Sequence, residues 1–309
     1  MKLTQKYVAA VQLLLDVAPE LFRSEHFVLK GGTAINLFVR DLPRLSVDLD
    51  LVWCDHQSPR DKALKEIRQA LDEIGTLIGK RGIRFRLGGT KGEETKVFFE
   101  QDGVQVKVEV NHVFRGTLLK PESMSLVDAA KDLFFFELEL PVLAKDELYA
   151  SKLVAALDRQ HPRDIYDVHL LLEAEGISPA MLDCFVAYLA GHNRPLHEVV
   201  FAPVKNLETA FQNEFQGMTR EPISLQTLEA TQTALLEEFP ARLNPEHREF
   251  LHGLAAGDPD WELLPFPFLQ NLPAVRWKLE NLRKLKKLNL TKFNFQRAEL
   301  ERKFRQARL

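Results

Sequence analysis

The chain has 309 residues, of which 45% are hydrophobic and 28% charged, and its net charge is −3. This composition excludes a disordered chain, and no run approaches the roughly 18 apolar residues of a membrane span. The two distant cysteines are too few for a disulfide framework or a cysteine-ligated zinc site. The N-terminal sequence lacks a signal-peptide pattern, so we expect a cytoplasmic protein with no membrane partner.

Charge is distributed unevenly along the chain. Residues 276–309 contain 12 Lys or Arg and 3 Asp or Glu, a local charge of +9, whereas the preceding 275 residues carry −12. Such a basic C-terminal tail is typical of segments that contact nucleic-acid phosphates. A solvated helical face, or one docked on the acidic body of the same protein, would have the same composition.

The first part of the chain alternates between helical and strand patterns. We predict helices over 4–22, 33–42 and 59–79, and strands over 26–29, 46–53, 83–87, 96–100 and 104–110. The segment 88–94 is a turn by composition, and Asp102-Gly103 joins the last two strands as a hairpin. The apolar stretch 132–143 is a candidate edge strand before Pro141.

After residue 145 the strand signals nearly vanish. The helical patterns lie at 146–159, 163–174, 179–190, 225–238, 245–256, 269–287 and 292–307. We therefore predict an α+β fold with two domains. The first (1–145) is a mixed sheet with flanking helices, and the second (146–309) is all-helical and carries the basic tail.

Two acidic residues follow a paired-glycine turn. Gly31 and Gly32 let backbone approach a phosphate closely, and Thr33 offers a hydroxyl to a phosphate oxygen or to the start of the helix. Asp48 and Asp50 are two residues apart on a strand and so share one face. Hard carboxylate oxygens at this spacing suit Mg²⁺, which also binds substrate phosphates. A capped helix beside a polar strand edge is the structural alternative.

Further charged residues lie on later elements. Glu109 occupies a strand of the same alternating type and is a candidate third metal ligand, although a solvated position beside Lys107 explains it nearly as well. Asp164 and Asp167 share a helical face by their i, i+3 spacing. Lys152 and Arg159, with Arg163 nearby, could bind a triphosphate or form an ion-pair network between two helices.

The segments KGGTAINLF, RLSVDLDL, DELYASKLVAALDR and RDIYDV together resemble the AbiEii/AbiGii toxin family and the related MenT toxins. These proteins belong to the DNA polymerase β superfamily of nucleotidyltransferases. The resemblance covers about residues 25–175. It implies the minimal nucleotidyltransferase fold and a bacterial toxin that a cognate antitoxin protein neutralises, as in type IV toxin–antitoxin systems.

The resemblance also implies roles for residues of this sequence. Asp48 and Asp50 would carry Mg²⁺, with Glu109 the candidate third ligand, and Asp167, or alternatively Asp164, would be the aspartate required for activity. Lys152 would act in catalysis and contact the phosphates of the NTP. The nucleotide-binding set comprises Gly31, Gly32, Thr33, Ser46, Lys152, Arg163 and Asp164.

The expected activity is Mg²⁺-dependent transfer of NMP from an NTP onto the 3′ end of tRNA, with release of pyrophosphate. The modified tRNA could no longer be aminoacylated, and translation would stall. Two alternatives remain at this point. One is transfer to a protein hydroxyl or a small molecule, as in antibiotic-modifying relatives of the fold. The other is a non-catalytic, nucleotide-binding interaction protein.

Overall fold

The computed structural model describes residues 3–88 and 94–307 and divides the chain into two units. The first unit comprises Met1–Leu148 and Phe215–Pro222, and the second comprises Tyr149–Glu214 and Ile223–Leu309. The sequence pattern does not indicate that residues 215–222 return to the first unit. The turn predicted at 88–94 lies mostly outside the described residues.

The first unit is built on a mixed sheet. Among the described residues, seven strands form it in the order β3-β4-β5-β2-β1-β7-β6. The pairs β2–β5 and β1–β7 are parallel, and the other neighbours are antiparallel. The strands are β1 (Phe27–Lys30), β2 (Asp48–Trp53), β3 (Arg84–Leu87), β4 (Glu94–Gln101), β5 (Val104–Asn111), β6 (Glu122–Ser125) and β7 (Glu139–Val142).

Helices flank this sheet. They are α1 (Gln5–Leu21), α2 (Gly31–Ala34), which continues as a π-helical turn (Ile35–Val39), α3 (Arg60–Gly79) and α4 (Asp128–Phe134). On α3 the buried residues recur every three or four positions, so the helix presents one apolar face to the core. The residues with this spacing are Ala63, Ile67, Leu71, Ile74 and Ile78, and Gly75 is also buried. The predicted α+β fold, with a mixed sheet and flanking helices, is confirmed.

The edge of the sheet differs from the prediction. The stretch 132–143 is not one edge strand, because α4 ends at Phe134 and β7 begins only at Glu139. Phe135 adopts a left-handed backbone conformation (φ 49°), which ends the helix. The strand β7 lies between β1 and β6, so the unpredicted β6 is the edge. A short apolar run fits a helix end and a strand equally well, which explains the error.

The second unit is helical, as predicted. Its helix α5 begins in the last residues of the first unit. The helices are α5 (Lys145–Asp158), α6 (Pro162–Ala174), α7 (Pro179–Gly191), α8 (Leu196–Val200), α9 (Glu208–Glu214), α10 (Leu225–Arg242), α11 (Pro245–Ala256), α12 (Pro273–Leu288) and α13 (Leu290–Gln306). Three of them begin with proline after a capping side chain, which fixes their first turn. Those caps are His161, Ser178 and Asn244. The short helices α8 and α9 were not predicted.

The basic tail forms α12 and α13, which are amphipathic. Their apolar residues pack in the second unit against α7, α8 and α11. The buried set includes Val275, Leu279, Leu282, Phe293, Leu300 and Phe304. Most of the cations are exposed, so the tail combines a structural inner face with a solvated cationic outer face. None of the helices in the described ranges has both the length and the hydropathy needed to cross a bilayer.

Candidate functional site

The register of two parallel strands gathers the predicted acids of the first unit. In the β2–β5 pair, Asp48 lies beside Lys107 and Asp50 lies beside Glu109. Laterally paired residues of neighbouring strands point to the same face of a sheet. The three carboxylates therefore share the face that the sequence pattern indicates. Metal binding by Glu109 stays a prediction.

Two lysines neutralise part of this acidic face. Lys96 Nζ lies 2.7 Å from Glu109 Oε1, and Lys107 Nζ lies 3.3 Å from the same oxygen. Lys107 Nζ is also 3.7 Å from Asp48 Oδ1. Burial by itself would raise the pKa of Glu109, but the two lysines outweigh it and lower that pKa. Glu109 is therefore a carboxylate at neutral pH.

The donor set at this face fits a cation that keeps part of its water shell. Within residues 3–88 and 94–307, no group of three or more His, Cys, Asp or Glu side chains is arranged to hold a metal ion. Mg²⁺ does not require such a cage, because one or two carboxylates together with water and substrate phosphates complete its octahedron. Asp48 and Asp50 supply two carboxylates on one face, which is compatible with that mode of binding.

The glycine turn lies directly against Asp50. Gly31 has a left-handed backbone conformation (φ +76°), and a Cβ at this position would overlap Asp50 Oδ2. A Cβ on Gly32 would lie 2.7 Å from Arg44 Nη2 and 2.9 Å from Ser46 Oγ. Both glycines are thus needed for close packing, and Ser46 lies beside the turn.

Side chains fix the turn in place. The Thr33 hydroxyl, which is buried, donates to the backbone oxygen of Asp48 at the start of β2. Asn36 Nδ2 donates to the backbone oxygen of Gly32 at 2.8 Å. The alternative that Thr33 caps the helix is not seen, since no side chain caps α2. Thr33 instead connects the glycine turn to the strand that carries the acids.

Arg44 is a residue of this site that the sequence analysis missed. Only 2% of it is exposed, its Nη2 packs against Gly32, and its Nη1 donates to the backbone oxygen of Leu45 at 2.9 Å. Residues 43–45 are held by the returning segment: the amide of Leu45 donates to the oxygen of Met218 at 2.8 Å. A single arginine among apolar residues gives no sequence signal for such a position.

The two lysines of the acidic face could have been found from the sequence. Lys107 is two residues before Glu109 on one strand and therefore shares its face. The Asp102-Gly103 turn fixes the β4–β5 register, which pairs Lys96 with Glu109. Counting back from the turn would have identified Lys96.

The remaining predicted residues form a second cluster, which lies in the second unit. Lys152 is 5% exposed, and its Nζ lies 2.7 Å from Asp164 Oδ1 and 3.0 Å from Asp167 Oδ2. Arg159, whose side chain is largely exposed, donates to both oxygens of Asp164. This is the ion-pair network between α5 and α6 that was left open as an alternative for these residues.

Electrostatics in this cluster favour full ionisation of Asp164. Complete burial would raise the pKa of its carboxyl, but the charges of Lys152 and Arg159 lower that pKa far below its usual range. Arg163 lies at the start of α6. Its amide donates to Nδ1 of the capping His161 at 3.1 Å, and its Nη2 lies 4.0 Å from Glu214 Oε2.

Comparison with known proteins gave two matches of interest. The model of a family described as nucleotidyl transferase AbiEii toxin, type IV TA system, matches residues 12–281. Among solved structures, MenT4, the nucleotidyltransferase toxin Rv2826c from Mycobacterium tuberculosis H37Rv, is similar in fold, with a TM-score of 0.57 and 22% identity. That match covers 81% of this chain and 93% of MenT4. The curated proteins gave no match.

The overlap at Gly31 leads to a stability prediction. We expect Gly31→Ala to lower the free energy of unfolding by clearly more than the roughly 1 kcal/mol of a glycine with positive φ, because the new Cβ must also displace Asp50. Gly103→Ala is the matched control, since Gly103 has the same φ of +76° but no atom within 4 Å of its Cβ. Urea unfolding of both variants measures the difference, and equal losses would contradict the packing argument.

The buried ion pairs lead to a second prediction. We expect Lys152→Met to lower the free energy of unfolding by about 3–5 kcal/mol at neutral pH, because two buried carboxylates lose their ammonium partner. The loss should diminish as the pH falls below the usual pKa range of an Asp carboxyl, because the stability that Lys152 contributes by lowering the pKa of Asp164 is lost once that carboxyl is protonated.

Lys284→Met serves as the control for this variant. Lys284 pairs with Glu280 at 2.8 Å, but its side chain is 57% exposed, so the change should stay within about 0.5 kcal/mol. A Lys152→Met protein whose stability deficit did not depend on pH would argue against the electrostatic origin.

Proposed function

This chain belongs to the AbiEii family of nucleotidyltransferase toxins of type IV toxin–antitoxin systems, and on that premise we propose that it transfers NMP from an NTP to the 3′ end of tRNA. The observation that carries the proposal is the face shared by Asp48 and Asp50, packed against the turn at Gly31 and Gly32. A tRNA extended at this end is not aminoacylated, so translation stalls. A cognate antitoxin protein is the proposed partner that restrains the activity.

Mg²⁺ is the proposed cofactor, and Asp48 and Asp50 would hold it. A bound Mg²⁺ would neutralise part of the negative charge of the phosphates and would lower the pKa of the attacking hydroxyl. Lys107, which lies near Asp48 and Glu109, neutralises the same face and would compete with a cation for Asp48. Glu109 is the weaker candidate ligand, because Lys96 and Lys107 both contact it already.

The glycine turn is the proposed triphosphate-binding element. Glycine backbone allows phosphate oxygens to approach the amides of Gly31 and Gly32. Ser46 adds a hydroxyl next to Gly32, and Arg44 adds a buried positive charge. Thr33 keeps the turn attached to β2, so phosphate binding and the acidic strand are coupled through one hydrogen bond.

The second cluster contains the remaining residues that we propose for nucleotide binding and catalysis. An ammonium has three donors, and Asp164 and Asp167 use two of those of Lys152, which leaves one for a phosphate oxygen. Asp167 is our candidate for the essential aspartate, and Asp164 the alternative. Arg163 is the proposed further contact to the nucleotide.

The proposal is tested by incubating the purified protein with Mg²⁺, total tRNA and each labelled NTP in turn. We expect label on tRNA with at least one NTP, and a loss of at least about a hundredfold in rate for Asp48→Asn or Asp50→Asn, because each keeps the shape but removes a charge that would bind the cation. Asp102→Asn is the control, as Asp102 is exposed in the β4–β5 turn.

Other outcomes would decide against tRNA. Label on a protein or on a small-molecule acceptor would select the alternative transfer reaction. No incorporation with any NTP, together with intact NTP binding, would indicate the non-catalytic alternative. Equal rates for Asp50→Asn and Asp102→Asn would show that the acidic face is not the site.

The exposed cations of α12 and α13 predict a salt dependence of RNA binding. Replacing Arg283, Lys284, Lys286 and Lys287 with Gln should make the slope of log K against log salt shallower by about 0.7–0.9 per lost phosphate contact. These side chains are exposed, so the packing of α12 is retained.

A charge-matched control is available on α3, where Arg60, Lys62, Lys65 and Arg68 are also exposed. Replacing these four with Gln changes the net charge by the same amount. Equal slopes for the two variants would show that the tail binds no RNA and that its charges only solvate the helices.

A further inference from the structure

A cavity of about 230 Å³ opens between the basic helices of the second unit and their neighbours. Its walls come from the loop before α8, from α8 and α11, and from α12 and α13. The lining is partly apolar and otherwise polar or basic, and it contains no carboxylate. The apolar part comprises Pro195, Leu196, Ala255, Leu282, Leu285 and Leu300.

Lys278 is the unusual residue of this cavity. It is only 7% exposed, whereas its neighbours Arg276, Arg283 and Lys284 on α12 are exposed. Its Nζ donates to the backbone oxygen of Arg194 at 2.5 Å, so two of its three donors remain for a ligand. Burial lowers the pKa of Lys278 to about 8, although the charge of Glu198 opposes this. An anion in the cavity would stabilise the ammonium.

The mouth of the cavity is polar. Asn193, Asn281 and Lys292 are exposed there, and Gln296 is half-buried. Within the described part of the chain, the side chains of Asn193, Asn281 and Gln296 make no hydrogen bond. A carboxamide offers two donors and one acceptor, which is the chemistry that reads the edge of a nucleobase. The leucines offer an apolar surface for the face of the base.

The size of the cavity and the charges near it indicate that it binds one part of a larger ligand. Pockets for whole drug-sized molecules typically have about 300–1,000 Å³, so this cavity suits one nucleotide better than a complete cofactor. Lys292 is part of the lining, and further exposed cations lie elsewhere on the two helices, among them Arg276, Arg283, Lys284, Lys286, Lys287 and Arg297. Such a field would attract the backbone of a polynucleotide.

We propose that this cavity receives one unpaired nucleotide of the RNA acceptor, with its phosphate at Lys278 and its base between the carboxamides and the leucines. The inference rests on the proposed RNA substrate, but it concerns recognition in the second unit rather than transfer. The RNA is then selected by a single-stranded position as well as by its end.

The test measures RNA binding without any NTP. Fluorescence anisotropy with labelled tRNA and with a single-stranded oligoribonucleotide should show at least about tenfold weaker binding for Lys278→Met, because a charge-assisted hydrogen bond to phosphate is lost. Asn281→Ala, at the exposed mouth, should weaken binding about fivefold without disturbing the core. Lys65→Met on α3 is the matched control and should bind as the unmodified protein does.

Binding and competition measurements with other ligands identify what the cavity binds. Blunt duplex RNA should bind with the same affinity to Lys278→Met and to the unmodified protein, since it offers no unpaired nucleotide. Free mononucleotides should compete only weakly. Competition by a mononucleotide at the affinity of the oligonucleotide would overturn the proposal in favour of a free nucleotide as ligand.

Failure of this inference can be told apart from failure of the proposed function. If the protein labels tRNA but Lys278→Met and Asn281→Ala bind single-stranded RNA like the control, the cavity is not an RNA subsite. If no RNA is labelled but binding still depends on Lys278 and Asn281, the subsite stands and the transfer reaction is wrong.

Discussion

The close approach of the Gly31 backbone to the Asp50 carboxylate is the constraint on which the first unit's site depends. No side chain larger than hydrogen fits between them, so the glycine turn and the acidic strand are in direct contact. The Thr33 hydroxyl then fixes the turn to the backbone of Asp48. The β2–β5 register in turn places Lys107 beside Asp48 and Glu109 beside Asp50. One backbone contact and one strand register thus determine where the glycine turn meets the carboxylates, which is the proposed site for phosphate and Mg²⁺.

The second unit relies on electrostatics instead of backbone fit. Lys152 lies between Asp164 and Asp167, all three almost wholly removed from solvent. Buried ion pairs often stabilise a fold no better than apolar residues of the same size, because desolvation offsets their attraction. A contribution to the stability of the fold is therefore not enough to explain why these three charged residues are buried together. Their arrangement fixes the contact between α5 and α6, and it holds Lys152 beside two aspartates at defined positions.

Local patterns predicted what depends on local geometry. Alternation along β2 predicted that Asp48 and Asp50 share a face, and helical spacing did the same for Asp164 and Asp167. What the sequence could not show depends on residues that meet only in the folded chain: the pairing of Lys152 with both aspartates, the return of residues 215–222, and the burial of Arg44 against the turn. The prediction of an edge strand over 132–143 was wrong for a different reason, since a short apolar run is compatible with both helix and strand.

For the basic tail, the helical periodicity of the sequence gives information that its composition alone does not. A charge of +9 does not distinguish a solvated helix from a nucleic-acid contact. The positions of the individual charged residues around the helix give additional information. Val275, Leu279 and Leu282 form the apolar stripe of α12 at helical spacing, and Lys278 falls on that same stripe. A charge placed where the helix buries apolar side chains is a local inconsistency, and such inconsistencies concentrate at functional sites. The exposed lysines of α12 are explained by solubility alone, whereas the buried Lys278 donates to the backbone oxygen of Arg194 and keeps two donors for the proposed nucleotide.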